Sequence, residues 1–388
     1  MSGTIIYVIG QLSVGGAERH FSNIAIDLKR TGWSPEFFVM FPGGEFEQRV
    51  IDEGISIHSG IGNRWIKKNL PAIIAGGLCR LSTLLSLPVL LLKKRPKVIH
   101  FCLPGSYLVG GWAALVTRTR PRVMSRRITN RYIQEDWIRR SLESFLHKKM
   151  DCVIGNSGAV VKGLLEEGVP KEKLKLIYNG VRIGELRRER RKISLLEELN
   201  IPADPLILVV VANYHPRKGH ADLLAALGLL RETSLVNWIC LCIGFDRGNG
   251  NALRKLTSKM NLTDNVRWLD GRTDVPELLA AADIGVLPSR EEGFSNSLIE
   301  KMAAGLPVVV TDVGGNAEAV LNNQTGIIVP PENPSAMAKA LTLLIGNPVL
   351  RTKMGRAARI RARDKFSQAE TLSAYDTLYR ALTTRYRR

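Results

Sequence analysis

Short apolar segments alternate with helical patterns along almost the whole chain, and this alternation limits the fold more than any other feature. The apolar segments are residues 4–10, 36–41, 98–102, 123–127, 152–156 and 174–178, and then residues 206–211, 238–243, 266–269, 284–287, 308–311 and 326–329. Strands that alternate with helices favour parallel sheets covered by helices. The sequence therefore predicts an α/β protein with a doubly wound sheet in each half.

A charged segment separates the two halves. Residues 182–198 read RIGELRRERRKISLLEE, and a turn with two prolines follows at residues 201–205. A chain of 388 residues is long enough for two domains. We therefore expect a solvated linker near residues 182–203.

The positive charge is concentrated in the first half. Residues 1–192 carry 32 Lys and Arg against 16 Asp and Glu, a net charge of +16, whereas the remainder carries 23 against 20, a net charge of +3. Such a field attracts polyanions or an anionic membrane surface. The alternative is a basic surface without a specific partner.

Residues 70–92 form the most membrane-like segment. They contain Arg80, Ser82, Ser86 and Pro88, and a cluster of three basic residues follows at 93–95. The interruptions argue against a span of about 20 apolar residues. We expect either an amphipathic helix at a membrane interface or a core helix of the first domain.

The cysteines and the start of the chain indicate a reducing compartment. None of the five cysteines forms a CxxC pair, and the opening MSGTIIYVIG has no basic residue before its apolar stretch. We interpret this opening as a first strand rather than a secretory signal. Reduced thiols in a cytoplasmic protein are the expectation.

The segment 288–320 carries the most informative motif, PSREEGFSNSLIEKMAAGLPVVVTDVGGNAEAV. A polar loop follows the strand at 284–287, and a helix begins near Asn296, where its N-terminus can attract a diphosphate. Gly293 lets a ligand approach the backbone. Glu292 and Glu300 can face one crevice and accept hydrogen bonds from vicinal hydroxyls. The alternative makes Glu292 a helix-start charge and Glu300 a surface residue.

The E-x7-E spacing of Glu292 and Glu300 resembles the signature of the retaining glycosyltransferases of family four, which have the GT-B fold. Other segments resemble that family in the same order: GGAER at 15–19, CVIGNSGAV at 152–160, LIYNGV at 176–181, HPRKGHADLLAAL at 215–227 and KFSQAETLSAYDTLY at 365–379. The resemblance implies two Rossmann-like domains facing across a cleft. The acceptor domain would comprise residues 1–190, the donor domain residues 191–365, and the final helix, within 366–388, would cross back to the first domain.

The resemblance also implies roles for particular residues. Glu292 would contact the donor sugar, Glu300 the nucleotide ribose, and Lys218 would neutralise the diphosphate. The other implied donor contacts are the backbone of Gly293, Phe294, Ser295 and Asn296, the loop residues Gly15 and Gly16, and Gly271 and Arg272 beside the nucleobase.

Three positions depart from the family pattern. Asn213 stands where the family often has arginine, and either His215 or Arg217 would supply the missing cation beside the donor, with Arg217 favoured. His100 and Cys102 stand where the family commonly has two histidines, so His100 either orients the donor sugar or is structural. Arg182 stands where the family has the aspartate of NGVD.

Cleavage of a sugar–phosphate bond places negative charge on the leaving diphosphate. Without a metal, fixed cations and a helix N-terminus must stabilise that charge, and Lys218, Arg217 and the helix at 296–304 could supply both. The sequence has no D-x-D pair and no His/Cys cluster with zinc spacing. We therefore expect neither a metal nor another cofactor.

Together with the resemblance, the sequence predicts a cytoplasmic glycosyltransferase that takes a hexose from a donor such as UDP- or GDP-hexose. The resemblance implies retention of configuration. Basic and aromatic residues at 125–132 and 137–140 favour an anionic, lipid-linked saccharide acceptor at the inner membrane face, in cell-envelope polysaccharide, lipopolysaccharide or exopolysaccharide synthesis. A soluble saccharide acceptor stays open. One alternative function is a sugar-nucleotide epimerase of the same architecture. A nucleic-acid-binding protein is disfavoured, because no binding motif is present and aromatics make up only 6%.

Overall fold

The computed structural model describes residues 3–13, 15–128, 137–184, 188–201 and 204–386, with the side chains of 188–191 excepted. Two compact units are present. The first comprises Met1–Asn179 with Ala369–Arg388, and the second comprises Gly180–Gln368.

The first unit contains a seven-stranded parallel sheet in the order β3-β2-β1-β4-β5-β6-β7. Its strands are β1 (Thr4–Ile9), β2 (Ser34–Val39), β3 (Ser56–Ser59), β4 (Val98–Phe101), β5 (Arg122–Arg126), β6 (Cys152–Gly155) and β7 (Leu174–Leu176). Strands β1 and β4–β6 are almost wholly buried, as expected for strands covered on both faces. The sequence prediction omitted only β3, since this edge strand reads SIHS and has no apolar run.

Helices cover both faces of this sheet. They are α1 (Gly16–Arg30), α2 (Phe46–Asp52), α3 (Asn63–Asn69), α4 (Ala72–Lys94), α5 (Pro104–Val116), α6 (Trp137–Lys149), α7 (Gly158–Glu166) and the C-terminal helix α16 (Gln368–Arg385). One apolar core lies between the sheet and α1, α2 and α16. A second lies on the other face, between the sheet and α4, α5, α6 and α7.

Helix α4 contributes only one stripe to the second core. Its buried residues recur every four positions, at Ala75, Cys79, Thr83, Leu87 and Leu91. It is the one described helix that is long and apolar enough to cross a membrane by length and composition, and 22% of its most apolar window is buried. The buried stripe confirms a core helix of the first unit, and the interface alternative stays a prediction.

The C-terminal helix belongs to the first unit, which confirms the predicted return of the chain. Tyr375 and Tyr379 of α16 are buried in the core beside α1. The Tyr379 hydroxyl lies 2.6 Å from His100 Nδ1 and 3.2 Å from the Tyr7 hydroxyl.

The second unit contains a six-stranded parallel sheet in the order β10-β9-β8-β11-β12-β13. Its strands are β8 (Leu206–Val211), β9 (Trp238–Gly244), β10 (Val266–Asp270), β11 (Ile284–Leu287), β12 (Val308–Thr311) and β13 (Gly326–Val329). Each corresponds to one of the apolar segments predicted as strands.

The helices of the second unit also flank its sheet. They are α8 (Arg188–Glu198), α9 (His220–Thr233), α10 (Gly250–Lys259), α11 (Val275–Ala281), α12 (Asn296–Ala303), α13 (Asn316–Ala319), α14 (Pro334–Gly346) and α15 (Pro348–Phe366). Helices α9, α10 and α14 pack on one face of the sheet, and α8 and α11 pack on the other.

Part of the predicted solvated linker near 182–203 is instead a helix of the second unit. Residues 188–198 form α8, whose Leu195 is buried in the core between α8, α11 and the sheet, with Leu196, Leu199 and Ile201 packed against it. Apolar residues within a charged run are enough to dock a helix when they recur on one face. Residues 185–187 and 202–203 lie outside the described residues.

Candidate functional site

The strand order of the second unit reverses between β8 and β11. These strands are neighbours, and the chain leaves them in opposite directions across the sheet. In open α/β sheets, ligands bind beyond the carboxyl ends of the strands at this kind of switch point. Two loops border this switch point. Residues 212–219 follow β8, and residues 288–295 follow β11.

A short ion pair joins these two loops. Lys218 Nζ donates a hydrogen bond to Glu292 Oε1 at 2.6 Å, and the Ser289 hydroxyl donates to the same oxygen at 2.7 Å. The Glu292 side chain is 9% exposed and that of Lys218 is 20% exposed. The structure therefore brings together two residues that are 74 positions apart and to which the family resemblance gives roles at the diphosphate and at the sugar.

Two glycines allow the loops to approach closely. Gly219 has φ +70°, and a Cβ there would lie 1.8 Å from the Pro288 carbonyl oxygen. Gly314 has φ +53°, and its Cβ would lie 1.9 Å from the Glu292 carbonyl oxygen. Since both contacts are with backbone, no side chain can move away to make room. These two positions require glycine and fix the loop that carries Glu292.

Arg290 adds a further connection between the loops. Its N–H donates to the Arg217 carbonyl oxygen at 2.8 Å, and its guanidinium forms a bidentate pair with Asp222 at 2.7 and 2.8 Å. The Asp222 carboxylate raises the pKa of Arg290 above its ordinary value. Arg217 itself is exposed at the end of the loop after β8.

Helix α12 begins directly after the loop that carries Glu292. Ser295 is the N-cap residue, and among the described residues its hydroxyl makes no capping bond to the helix. The first N–H groups of a helix have no partner within the helix and favour an anion. Gly293 accepts a hydrogen bond from the Gly315 N–H at 2.8 Å, and Phe294 packs against the Phe366 ring. Glu300 is half-buried one turn further along α12.

Two cations, Lys218 and Lys301, lie near the buried His220. Burial and then the charges of these two lysines together lower the pKa of His220 to about 4. Burial also lowers the pKa of His215, with Arg217 and Lys218 contributing. Protonation is therefore disfavoured at both histidines, mainly by burial and partly by the neighbouring cations.

Lys301 is a buried lysine beneath the start of α12. Its side chain is 0% exposed, and Nζ lies 3.4 Å from the Ser297 hydroxyl. Gly285 of β11 leaves room for the stem, since a Cβ there would lie 2.7 Å from Lys301 Cδ. Desolvation lowers the pKa of Lys301 to about 7 and Lys218 lowers it too, whereas Glu300 and Glu292 oppose the shift.

We expect Lys301→Met to stabilise the second unit, and more at pH 6.5 than at pH 10. Below pH 7 the folded and unfolded chains both carry the proton, so the full cost of burying the ammonium opposes folding. From pH 7 to about 10.5 the unfolded chain binds more protons, and the wild-type free energy of unfolding rises with pH. The gain should be roughly 2–5 kcal/mol at pH 6.5.

Thermal unfolding of both chains at the two pH values measures this gain. Lys339→Met, on the exposed side of α14, is the control and should show no pH-dependent gain. A gain for Lys301→Met that is equal at both pH values would contradict an origin in the buried charge.

The remaining predicted donor contacts of the second unit lie at the same edge of the sheet. Asn213 follows β8, and its Oδ1 accepts the Phe245 N–H at 3.2 Å. Gly271, with φ +67°, and Arg272 follow β10, two strands from β8. Arg272 pairs with Glu198 and Asp274, which raise its pKa. Its guanidinium is thus already engaged by two carboxylates.

Three of the predicted site residues, Gly15, Gly16 and His100, lie in the first unit. Gly15 is the extended N-cap of α1, and Gly16 is the first residue of that helix. His100 is 0% exposed, and its ring nitrogens lie 2.6 Å from the Tyr379 hydroxyl and 2.7 Å from the Ser125 hydroxyl. Burial lowers its pKa to about 3, with a contribution from Arg127. These contacts match the structural role left open for His100.

The basic segments of the first unit are only partly described. Residues 129–132 lie outside the described part of the chain, and Trp137 and Ile138 are exposed at the start of α6. Arg127 donates to Asn179 Oδ1 and lies over the Phe21 ring.

Within the described ranges, one group of side chains has closely spaced metal-ligating atoms. The ligand atoms of Glu143, His147 and Glu167 lie within 4.8 Å of one another. Arg126 lies among them, with Nη2 2.6 Å from Glu143 Oε2 and 3.1 Å from Glu167 Oε2. We interpret the group as a buried ion-pair network in which the guanidinium is the cation.

Sequence reasoning missed Ser289, His220 and Lys301. Lys301 carried a signal, since it lies three residues after Leu298 and next to Met302, within the apolar stripe of the predicted helix. Ser289 and His220 carried none, because their positions depend on how the two loops pack.

Two family models match the chain, one in each half. The model described as Glycosyltransferase Family 4 matches residues 14–185, and the model described as Glycosyl transferases group 1 matches residues 192–361. The second match contains Lys218, Glu292 and Glu300.

One curated relative is similar to the chain in sequence, and two solved structures are similar to it in fold. D-inositol 3-phosphate glycosyltransferase of Streptomyces avermitilis is 31% identical over 225 residues, which are 56% of this chain and 48% of the relative. The chain thus spans about half the length of that relative. An Anabaena HepE structure in complex with UDP has a TM-score of 0.82 at 20% identity, covering 98% of this chain and all of that one. WaaG, a glycosyltransferase involved in lipopolysaccharide biosynthesis, has a TM-score of 0.75 at 17% identity, covering 96% and 99%.

The similar solved structures show the fold, and the family models show the family. Two parallel-sheet, Rossmann-like units match GT-B structures over nearly the whole chain, as the motifs predicted. With one model matching each unit, in chain order, the chain belongs to the glycosyltransferases of the group 1, family-four type.

Proposed function

We propose that the chain transfers a hexose-type sugar from a nucleoside diphosphate donor to a saccharide or lipid-linked acceptor, with retention and without a metal. The observation that carries the donor part is the Lys218–Glu292 pair beside the N-terminus of α12. It combines a cation for the diphosphate with a carboxylate for sugar hydroxyls at the switch point of the sheet.

The donor would lie across the carboxyl ends of β8 and β11. Lys218 and the N-terminus of α12 would face the diphosphate, where negative charge grows as the sugar leaves. Exposed Arg217 would supply the second cation, in place of the arginine that Asn213 replaces. Glu292 would contact the sugar and Glu300 the ribose, while Gly271 would lie beside the base.

Retention would follow from attack on the same face that the diphosphate leaves. Among the residues described around Lys218, Glu292 already accepts two hydrogen bonds through one oxygen, which suits a positioning carboxylate better than a covalent nucleophile. We do not assign a chemical role to His100, because both of its ring nitrogens are engaged within the first unit.

The proposal for the acceptor is based on the net charge of the first half of the chain. The net charge of +16 in residues 1–192 suits an anionic acceptor, and a lipid-linked saccharide would place the enzyme at the cytoplasmic face of the membrane. WaaG acts in lipopolysaccharide biosynthesis, and we extend that type of pathway, cell-envelope saccharide assembly, to this chain. The phosphorylated acceptor named for the Streptomyces relative fits the same preference for anions.

A thermal-shift screen tests the donor proposal. We expect one or more UDP-, GDP-, ADP- or dTDP-sugars to raise the melting temperature by several degrees, since a ligand at about 100 times its Kd stabilises by about 2.7 kcal/mol. UDP-sugars are the first choice because the Anabaena structure holds UDP. The shift should be the same with and without EDTA.

Glu300→Ala should reduce the rise in melting temperature caused by the nucleotide sugar. The control is Glu232→Ala, at the exposed end of α9, which should leave that rise unchanged. A shift that depends on added divalent metal would overturn the metal-free proposal. Release of free nucleoside diphosphate without an acceptor, together with epimerised donor, would point to an epimerase.

A further inference from the structure

One surface of the first unit is both apolar and basic, and it lies outside the nucleotide site. The outer side of α4 carries six aliphatic residues that are each more than half exposed: Ile73, Ile74, Leu81, Leu85, Val89 and Leu92. Soluble proteins rarely expose contiguous apolar patches of this kind unless the patch binds something.

The apolar surface continues onto the neighbouring helices. Helix α4 packs beside α5, and α5 packs beside α6. All three bury their inner sides in the same core on one face of the sheet, so their outer sides point away from it together. Exposed residues there include Val116 of α5 and Trp137 and Ile138 of α6, and the rings of Trp112 and Phe145 stack at 5.4 Å.

The exposed charges of α4 have a single sign, and Glu135 and Asp136 directly precede α6 in the sequence. Residues 54–134 contain 14 Lys and Arg and no Asp or Glu. Lys68, Arg80, Lys93, Arg95 and Lys97 are exposed at or near α4. On α6 the one acidic residue, Glu143, is buried against Arg126.

We propose that the outer sides of α4, α5 and α6 dock in the plane of an anionic lipid surface. Exposed aliphatic and tryptophan side chains would enter the headgroup region, and the surrounding cations would contact lipid phosphates. This inference deepens the proposed function by naming the surface for membrane association, and it rests on that function only for its link to a lipid-linked acceptor.

Docking in the plane is favoured over spanning. Leu87 and Leu91 of α4 are buried against the sheet, and Asn63 of α3 donates to the Cys79 carbonyl oxygen. A transmembrane α4 would have to leave these contacts. A second copy of the chain is a poorer occupant, because a symmetric interface through this surface would oppose cations with no acidic residue between 54 and 134.

Vesicle flotation tests the proposal with the full chain. We expect binding to vesicles of phosphatidylglycerol and phosphatidylcholine at low salt and much weaker binding to phosphatidylcholine alone. Lys68→Glu/Arg80→Glu/Lys93→Glu should weaken binding to the anionic vesicles by about a hundredfold. Leu81→Gln/Leu85→Gln/Val89→Gln should weaken it by about tenfold or more.

The matched control is Leu235→Gln/Leu343→Gln/Val349→Gln, which removes three exposed aliphatic residues from the second unit and should bind as wild type. Melting temperature and the nucleotide-induced shift verify that each variant is folded. Equal binding by wild type and the α4 variants would overturn the proposal, as would equal binding to both lipids. A wild-type dimer that the aliphatic variant dissociates in sedimentation would assign the surface to a second copy instead.

The docking-surface proposal and the donor-site proposal can be refuted independently of each other. A chain that binds nucleotide but not vesicles refutes the docking surface and leaves the donor site standing. A chain that binds vesicles but no nucleoside diphosphate does the reverse.

Discussion

Lys218→Ala is expected to lower kcat/KM by about 10²–10³, the usual effect of losing one preorganised group that stabilises transition-state charge. The ammonium lies 2.6 Å from Glu292 at the switch point, where the leaving diphosphate would gain charge. Affinity for the nucleoside diphosphate should fall as well, because the ground state already carries part of that charge.

The loss of activity in Lys218→Ala has a second explanation, a loss of stability, and this explanation makes a different prediction. Loss of Lys218 leaves the buried Glu292 carboxylate without its cation, which could lower stability rather than impair chemistry. Adding Glu292→Gln to Lys218→Ala removes the unpaired charge and should recover the melting temperature, while kcat/KM should stay well below that of Glu292→Gln alone. Lys255→Ala, on the exposed side of α10, serves as the control. Activity in the double variant equal to that of Glu292→Gln alone would contradict a direct role for Lys218.

Glu292→Gln is expected to lower kcat by about 10² with a smaller change in KM. Glutamine keeps the size of the side chain and can still accept the hydrogen bonds from Lys218 and Ser289. It lacks the negative charge that would stabilise positive charge on the sugar ring, a charge that develops only in the transition state.

Steady-state kinetics over a range of donor concentrations separates these parameters. Glu291→Gln is the matched control, one residue earlier in the same loop and outside the E-x7-E spacing, and should stay within about threefold of wild type. An unchanged kcat with a large rise in KM would instead assign Glu292 to uniform substrate binding.

Local patterns were enough to predict the sheets. Strands β8, β11, β12 and β13 begin and end where their apolar runs do, because a strand buried on both faces has a continuous apolar sequence. Edge strand β3 and helix α8 were missed because each lacks such a run. Helix α8 is held by Leu195 and its neighbours, and only the folded unit shows what they contact.

The candidate site could also be predicted only in part from the sequence. Glu292, Glu300 and Lys218 could be found because their motifs occupy short segments. Their mutual geometry could not, since it depends on Gly219 and Gly314 packing against backbone carbonyls of another loop. His100 illustrates the limit: a partner of its ring, Tyr379, lies 279 positions away on the returning C-terminal helix.

A crystal structure of the chain with UDP, or with the nucleoside diphosphate that gives the largest thermal shift, tests the donor site most directly. We predict that the diphosphate oxygens lie within hydrogen-bonding distance of Lys218 Nζ and the N-terminus of α12, with the ribose at Glu300. A diphosphate bound elsewhere, with the loops after β8 and β11 empty, would contradict the proposed site.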